Sequence, residues 1–120
     1  AIRLKPDLAM AHYNLGNNYL ALKKFEEAIE SFKQAIRIKF DYAEGHMNLG
    51  AAHNQRGQYE EAIDSYRQAV QIKPDLAEAH LNLGMTYLRV GDRGSALEEY
   101  KILRNLDKEL ANRLFTLIYD

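Results

Sequence analysis

The chain has 120 residues, 47% hydrophobic and 28% charged, with two prolines and no low-complexity tract, the composition of a folded domain and not of a disordered segment. Sixteen basic residues against seventeen acidic ones leave a formal charge of −1, which gives no electrostatic basis for nonspecific binding to nucleic acid or to an anionic membrane. No apolar run approaches the roughly 20 residues that span a bilayer, and the absence of cysteine excludes disulfides, thiolate catalysis and cysteine-based zinc sites. A cysteine-free chain suits a reducing cytosol and a cysteine-poor periplasm alike; a cytoplasmic location is expected, with a periplasmic one left open.

The first eight residues, Ala1-Ile2-Arg3-Leu4-Lys5-Pro6-Asp7-Leu8, align with Ala69-Val70-Gln71-Ile72-Lys73-Pro74-Asp75-Leu76, the tail of a helix and the turn behind it. The expectation is therefore a fragment that opens at the end of a truncated upstream unit, residues 1–8. Pro6 and Pro74 are expected to end helices by removing a donor, and Asp7, Asp41 and Asp75 to stand at N-caps of the helices that follow.

From there His12-Tyr13-Asn14-Leu15-Gly16, His46-Met47-Asn48-Leu49-Gly50 and His80-Leu81-Asn82-Leu83-Gly84 recur about every 34 residues, the period of a helix–turn–helix solenoid. Three units are expected, at 9–42, 43–76 and 77–110. In the first, His12, Leu15, Gly16 and Tyr19 form one helical stripe, and Ala28, Phe32, Ala35 and Ile36 form the stripe of its partner helix. The second sets His46, Leu49, Gly50 and His53 against Ala62, Tyr66 and Ala69. The third sets His80, Leu83, Gly84 and Tyr87 against Ala96, Tyr100 and Leu103. Gly16, Gly50 and Gly84 lie inside helices, where glycine costs about 1 kcal/mol against alanine, so each is expected to permit a close approach, with Ala28, Ala62 and Ala96 opposite. Gly57 and Gly91 suit C-terminal caps. After Asp107 the signature is lost but Leu110, Leu114, Leu117 and Ile118 keep helical spacing, which predicts a capping helix over 107–120.

These residues resemble the tetratricopeptide repeat family, with its Trp-x2-Leu-Gly-x2-Tyr, Ala-x3-Phe and Pro positions. The departures are His at 12, 46 and 80 for Trp, His53 for Tyr, Lys23 for a turn glycine, Phe40 for Pro, which could let the preceding helix run on, and Lys108 where Pro would mark a further repeat. The resemblance implies an all-α, right-handed superhelical solenoid of antiparallel helix pairs with first helices lining the concave face. That puts Met10, Tyr13, Asn14, Asn17, Leu20 and Ala21 inward, then Glu44, Met47, Asn48, Ala51, Asn54 and Gln55, then Glu78, Leu81, Asn82, Met85, Leu88 and Arg89.

Asn14, Asn48 and Asn82 resemble the asparagine row of the repeat region in the O-linked N-acetylglucosaminyltransferases, which holds extended peptides by their backbone. A carboxamide can both donate to and accept from a peptide bond; the alternative is that these amides brace neighbouring helices. A second use in the family grips a C-terminal carboxylate with two cations and two asparagines. Here Asn17 and Asn48 match, but Tyr13, Glu78 and Asn82 stand where cations belong, so an acidic tail is not the expected ligand.

The function expected is a noncatalytic protein-interaction module whose groove takes an extended or amphipathic peptide through Tyr13, Asn14, Asn17, Met47, Asn48, Asn54, Leu81, Asn82, Met85 and Arg89. The alternatives are self-association through exposed end faces, Phe115 and Tyr119 included, or service as the substrate-recruiting arm of a parent enzyme such as a glycosyltransferase. No catalytic residue, cofactor, nucleic acid or membrane partner is expected. His12, His46 and His80 sit in successive units, too far apart to share a metal ion at about 2 Å from each, and read as interhelix packing residues. Glu26-Glu27, Glu60-Glu61 and Glu98-Glu99 read as solvated helix faces near helix starts, and Gly91-Asp92-Arg93-Gly94-Ser95 as a helix–helix turn without the Lys-Ser/Thr ending of a phosphate loop.

Overall fold

The computed structural model describes residues 4–120, with side chains from Leu8 onward. Within them the chain forms seven helices and no strand: α1 (Leu4–Ala21), α2 (Phe25–Ile38), α3 (Ala43–Gln55), α4 (Tyr59–Ile72), α5 (Ala77–Arg89), α6 (Arg93–Leu106) and α7 (Lys108–Tyr119). Each odd helix pairs with the even one after it, the pairs stack in sequence, and α7 closes the end by packing on both α5 and α6. The result is an elongated helical solenoid of 49 × 27 × 20 Å.

Packing within a pair turns on the helical glycines. A Cβ on Gly16 would stand 2.6 Å from the Phe32 ring and one on Gly50 2.8 Å from the Tyr66 ring, distances no methyl group can hold. The rings, more than the small alanines, are what press on the glycines. Phe32 and Tyr66 are fully enclosed as a result, and burial pushes the Tyr66 phenol up to about 12 against a smaller lowering by its bond to Asn54. In the third pair the expected ring is replaced. Leu114 of α7 stands 2.6 Å from a Cβ on Gly84, while Tyr100 stacks on Phe115 at 5.4 Å instead. Ala111, Leu114 and Ile118 are the buried residues of α7, and Leu117, expected in that stripe, is 49% exposed.

Several boundaries differ from expectation. Residues 1–3 lie outside the described part, and from Leu4 the chain belongs to α1. Pro6 therefore ends no helix; it sits in the first turn, where its missing N–H has no partner to lose. Asp7 lies inside α1, and the caps of α3 and α5 are Tyr42 and Leu76, which donate from their backbone N–H to Lys39 and Lys73 at 3.2 and 3.0 Å. Asp41 and Asp75 come one residue too early to cap. The capping aspartates are Asp92, accepting from Ser95 N, and Asp107, accepting from Leu110 N, each at 3.1 Å. Phe40 does not extend α2, which ends at Ile38 as α4 ends at Ile72; the Phe40 carbonyl instead accepts from His46 Nε2 at 3.0 Å.

His46 and His80 are buried as expected, whereas His12 is only half-buried, and one of the buried two does more. His80 is 5% exposed and bonds to the Pro74 carbonyl through Nε2 and to Glu99 through Nδ1, both at 2.7 Å. Two acceptors require two ring protons, so the imidazolium form fits this site. Burial lowers the His80 pKa, but the bonds to Glu99 and Pro74 and the Glu99 charge outweigh it and raise the net value. Glu99 is thus no solvated face, unlike Glu98, which pairs with Lys101 at the surface.

Gly57 and Gly91 end α3 and α5 with φ of +76 and +82, and Lys23 takes the same left-handed conformation, φ +62, after α1. A side chain pays a steric penalty there that glycine does not. Lys23→Gly is expected to raise stability by up to about 1 kcal/mol in urea unfolding; a loss would mean that the lysine side chain itself holds the turn.

Because the folded pKa of His80 is raised above the unfolded value near 6.5, its pair with Glu99 contributes fully below pH 6.5 and fades as pH climbs through the folded value. The stability gap between wild type and Glu99→Gln is therefore expected to narrow from pH 6 to pH 9, and a gap that stays constant over that range contradicts it.

Candidate functional site

Residues on one side of α1, α3 and α5 form a continuous face, closed at its far end by α7. Asn14 and Arg89 are exposed on it, and Tyr13, Asn17, Met47, Asn48, Asn54, Asn82 and Met85 are half-buried. Leu81 is buried at 5% exposure and belongs to the core, although it still lines the cleft beside α7. Met47, Met85 and Leu88 lean on that same core, which leaves part of each flexible side chain at the surface.

The three asparagines at the same register do not form a uniform row. Asn48 Nδ2 donates to the Tyr13 hydroxyl at 3.1 Å and to Asn17 Oδ1 at 2.7 Å, tying α3 to α1. Both amide protons are thereby used inside the chain. The side chains of Asn14 and Asn82 have no such partner among the described residues; Asn82 serves the helix only through its backbone carbonyl, which accepts from Thr86 Oγ1 at 2.8 Å. Asn54 turns inward, where its Oδ1 is buried without a hydrogen-bond partner. Around Tyr13, the Tyr42 ring lies at 4.9 Å, and burial, then the Tyr13 and Glu44 charges, push the Tyr42 phenol up.

A recess on this face lies between α5 and α7, a cleft of about 600 Å³. Leu76, Ala77, Leu81 and Leu110 make its apolar part, and Glu78, Asn82, Asp107 and Arg113 its polar part. Asp107, Leu110 and Arg113 were missing from the sequence-based site because α7 carries none of the repeat signature. Its own apolar spacing could have found them, since Leu110 and Leu114 bracket Arg113 on one helix. Arg89 is held at the opposite end of α5, its guanidinium 5.7 Å from the Tyr59 ring.

Among the described residues no three His, Cys, Asp or Glu side chains are placed to share a metal ion, and no helix is long and apolar enough to cross a membrane. At the α7 end, Phe115 and Tyr119 are 45% and 53% exposed and stack on each other at 4.7 Å, with Arg93 4.8 Å from the Tyr119 ring.

Glycine-seated helix pairs, stacked with a repeat of constant length, define a helical-repeat protein. The sequence profile described as TPR repeat matches residues 16–55 and 52–91, and the chain belongs to that family. No curated protein matches it in sequence. Among solved structures it is similar to MamA, with 27% identity and a TM-score of 0.81 over 87% of this chain. The chain spans 61% of that protein's length. It is similar as well to the second TPR domain of human RPAP3 in complex with the HSP70 peptide SGPTIEEVD, at 21% identity and a TM-score of 0.90, covering 97% of this chain and 98% of that one. A third is the Yersinia enterocolitica type III secretion chaperone SycD in complex with a peptide of the translocator YopD, at 22% identity and a TM-score of 0.87, covering 94% of this chain and 91% of that one. At these identities the last two bear on the fold alone.

The bonds made by Asn48 predict a structural cost for its loss. Asn48→Ala is expected to destabilise the fold by about 1–3 kcal/mol, because it strands half-buried partners on α1. Chemical denaturation checks this, and an unchanged unfolding midpoint would show that the brace is immaterial.

Proposed function

We propose that the chain is a noncatalytic protein-interaction module that holds a peptide segment along the face of α1, α3 and α5. The observation that carries this reading is the cleft between α5 and α7, where the Asn82 carboxamide, without a hydrogen-bond partner among the described residues, stands beside apolar side chains. An amide so placed can donate to and accept from a peptide backbone, while Leu110, over a floor that includes Leu81, takes up an apolar residue, and the adaptable Met85 stands one turn further along α5. The asparagine row of the sequence reading then divides by role: Asn48 braces, and Asn14 and Asn82 face the ligand. Structural relatives that carry bound peptides support the same reading.

With Asn48 spent on the brace, a few hydrogen bonds of about 0.5–1.5 kcal/mol each and one apolar pocket set a modest affinity. Peptides selected from a random dodecapeptide library are expected to shift the ¹⁵N NMR signals of Asn82 and its neighbours. Asn82→Ala is expected to weaken them about tenfold with no change in melting temperature. Shifts confined to the opposite face would overturn the proposal.

A further inference from the structure

We infer that the groove selects for positive charge: its occupant is an extended peptide carrying a Lys or Arg next to an apolar residue, with the cationic end at the α5–α7 cleft. The inference rests on the groove reading above and adds the ligand's chemistry to it.

The cleft has an apolar floor, Leu81 and Leu110, beside the Asn82 amide, and its charged groups are Glu78, Asp107 and Arg113. Two carboxylates thus face one guanidinium. Asp107 commits one oxygen, Oδ1, to the first turn of α7, which leaves the other for a ligand. Glu78 is exposed and has no ion-pair partner among the described residues, whereas Glu44, its counterpart one repeat earlier, is answered by Lys73 at 3.6 Å. Both glutamates suit the positive ends of their helices, but that role uses little of an exposed carboxylate. Along the face the nearest cation on α5 is Arg89, eleven residues and so roughly 16 Å away, and it is engaged with Tyr59.

Charge at such a rim acts on encounter and on partner choice more than on total affinity. An acidic segment entering the cleft would bring carboxylates against Glu78 and Asp107; a Lys or Arg would stand between them while its stem covers Leu110.

The test uses the acidic nonapeptide SGPTIEEVD and a counterpart in which both Glu and the Asp are replaced by Lys, each fluorescently labelled and amidated at its C-terminus. Fluorescence anisotropy is expected to give at least tenfold tighter binding of the lysine peptide in low salt, with the preference shrinking as ionic strength rises. Glu78→Lys, an exposed change that should lower the melting temperature by only a few degrees through its place in the first turn of α5, is expected to cancel or reverse the preference. Equal binding, or tighter binding of the acidic peptide, overturns the inference while leaving the groove intact. If neither peptide binds but library-selected peptides still shift Asn82, charge selection also falls; if none binds at all, the groove reading falls with it.

Discussion

Everything in this solenoid depends on how closely two helices of a pair can approach, and that distance is set where a glycine on one meets a ring on the other. Gly16 under Phe32 and Gly50 under Tyr66 exchange about 1 kcal/mol of helix propensity each for a fully buried aromatic side chain, which returns more through apolar area removed from water. The seat is intolerant, because a methyl group would have to occupy space the ring already fills. It also fixes which side of each first helix is turned inward, and therefore which side remains for a partner.

The third pair keeps the seat and changes its occupant. With Leu114 on Gly84, α7 is drawn into the position a ring would hold, and Tyr100 is released to stack with Phe115. That exchange closes the stack and, in the same step, brings Asp107, Leu110 and Arg113 to α5. Closure and cleft are two consequences of one packing contact. The buried His80–Glu99 pair joins α5 to α6, so the wall carrying Asn82 is held by a charge-assisted bond as well as by apolar packing.

Polar groups on a repeat surface are divided between holding neighbours together and meeting a ligand, and the repeat period does not decide the division. Asn14, Asn48 and Asn82 occupy one register, yet only Asn48 has a tyrosine hydroxyl and an asparagine oxygen within reach on the preceding first helix. At the equivalent places before Asn82 stand Met47 and Ala51, which accept no such bond. Likewise Glu99 follows Ser31 and Ser65 in the repeat, and its longer side chain reaches His80. The variation between units, and not the shared signature, distributes these roles.

Spacing alone made the helix pairs, their turns and the close-approach glycines legible, because a constant period and a 3.6-residue stripe are local properties of the chain; the strained turn at Lys23 was visible as a missing glycine for the same reason. What the sequence could not carry was any fact depending on a partner distant along the chain. Leu114 taking the place of Tyr100, Leu81 sinking into the core, Leu117 turning out, Asp41 and Asp75 yielding the caps to backbone turns, and Asn48 spending its protons on α1 each depend on which atom arrives within about 3–4 Å. Local pattern sets which residues face inward; only the assembled stack decides what meets them there.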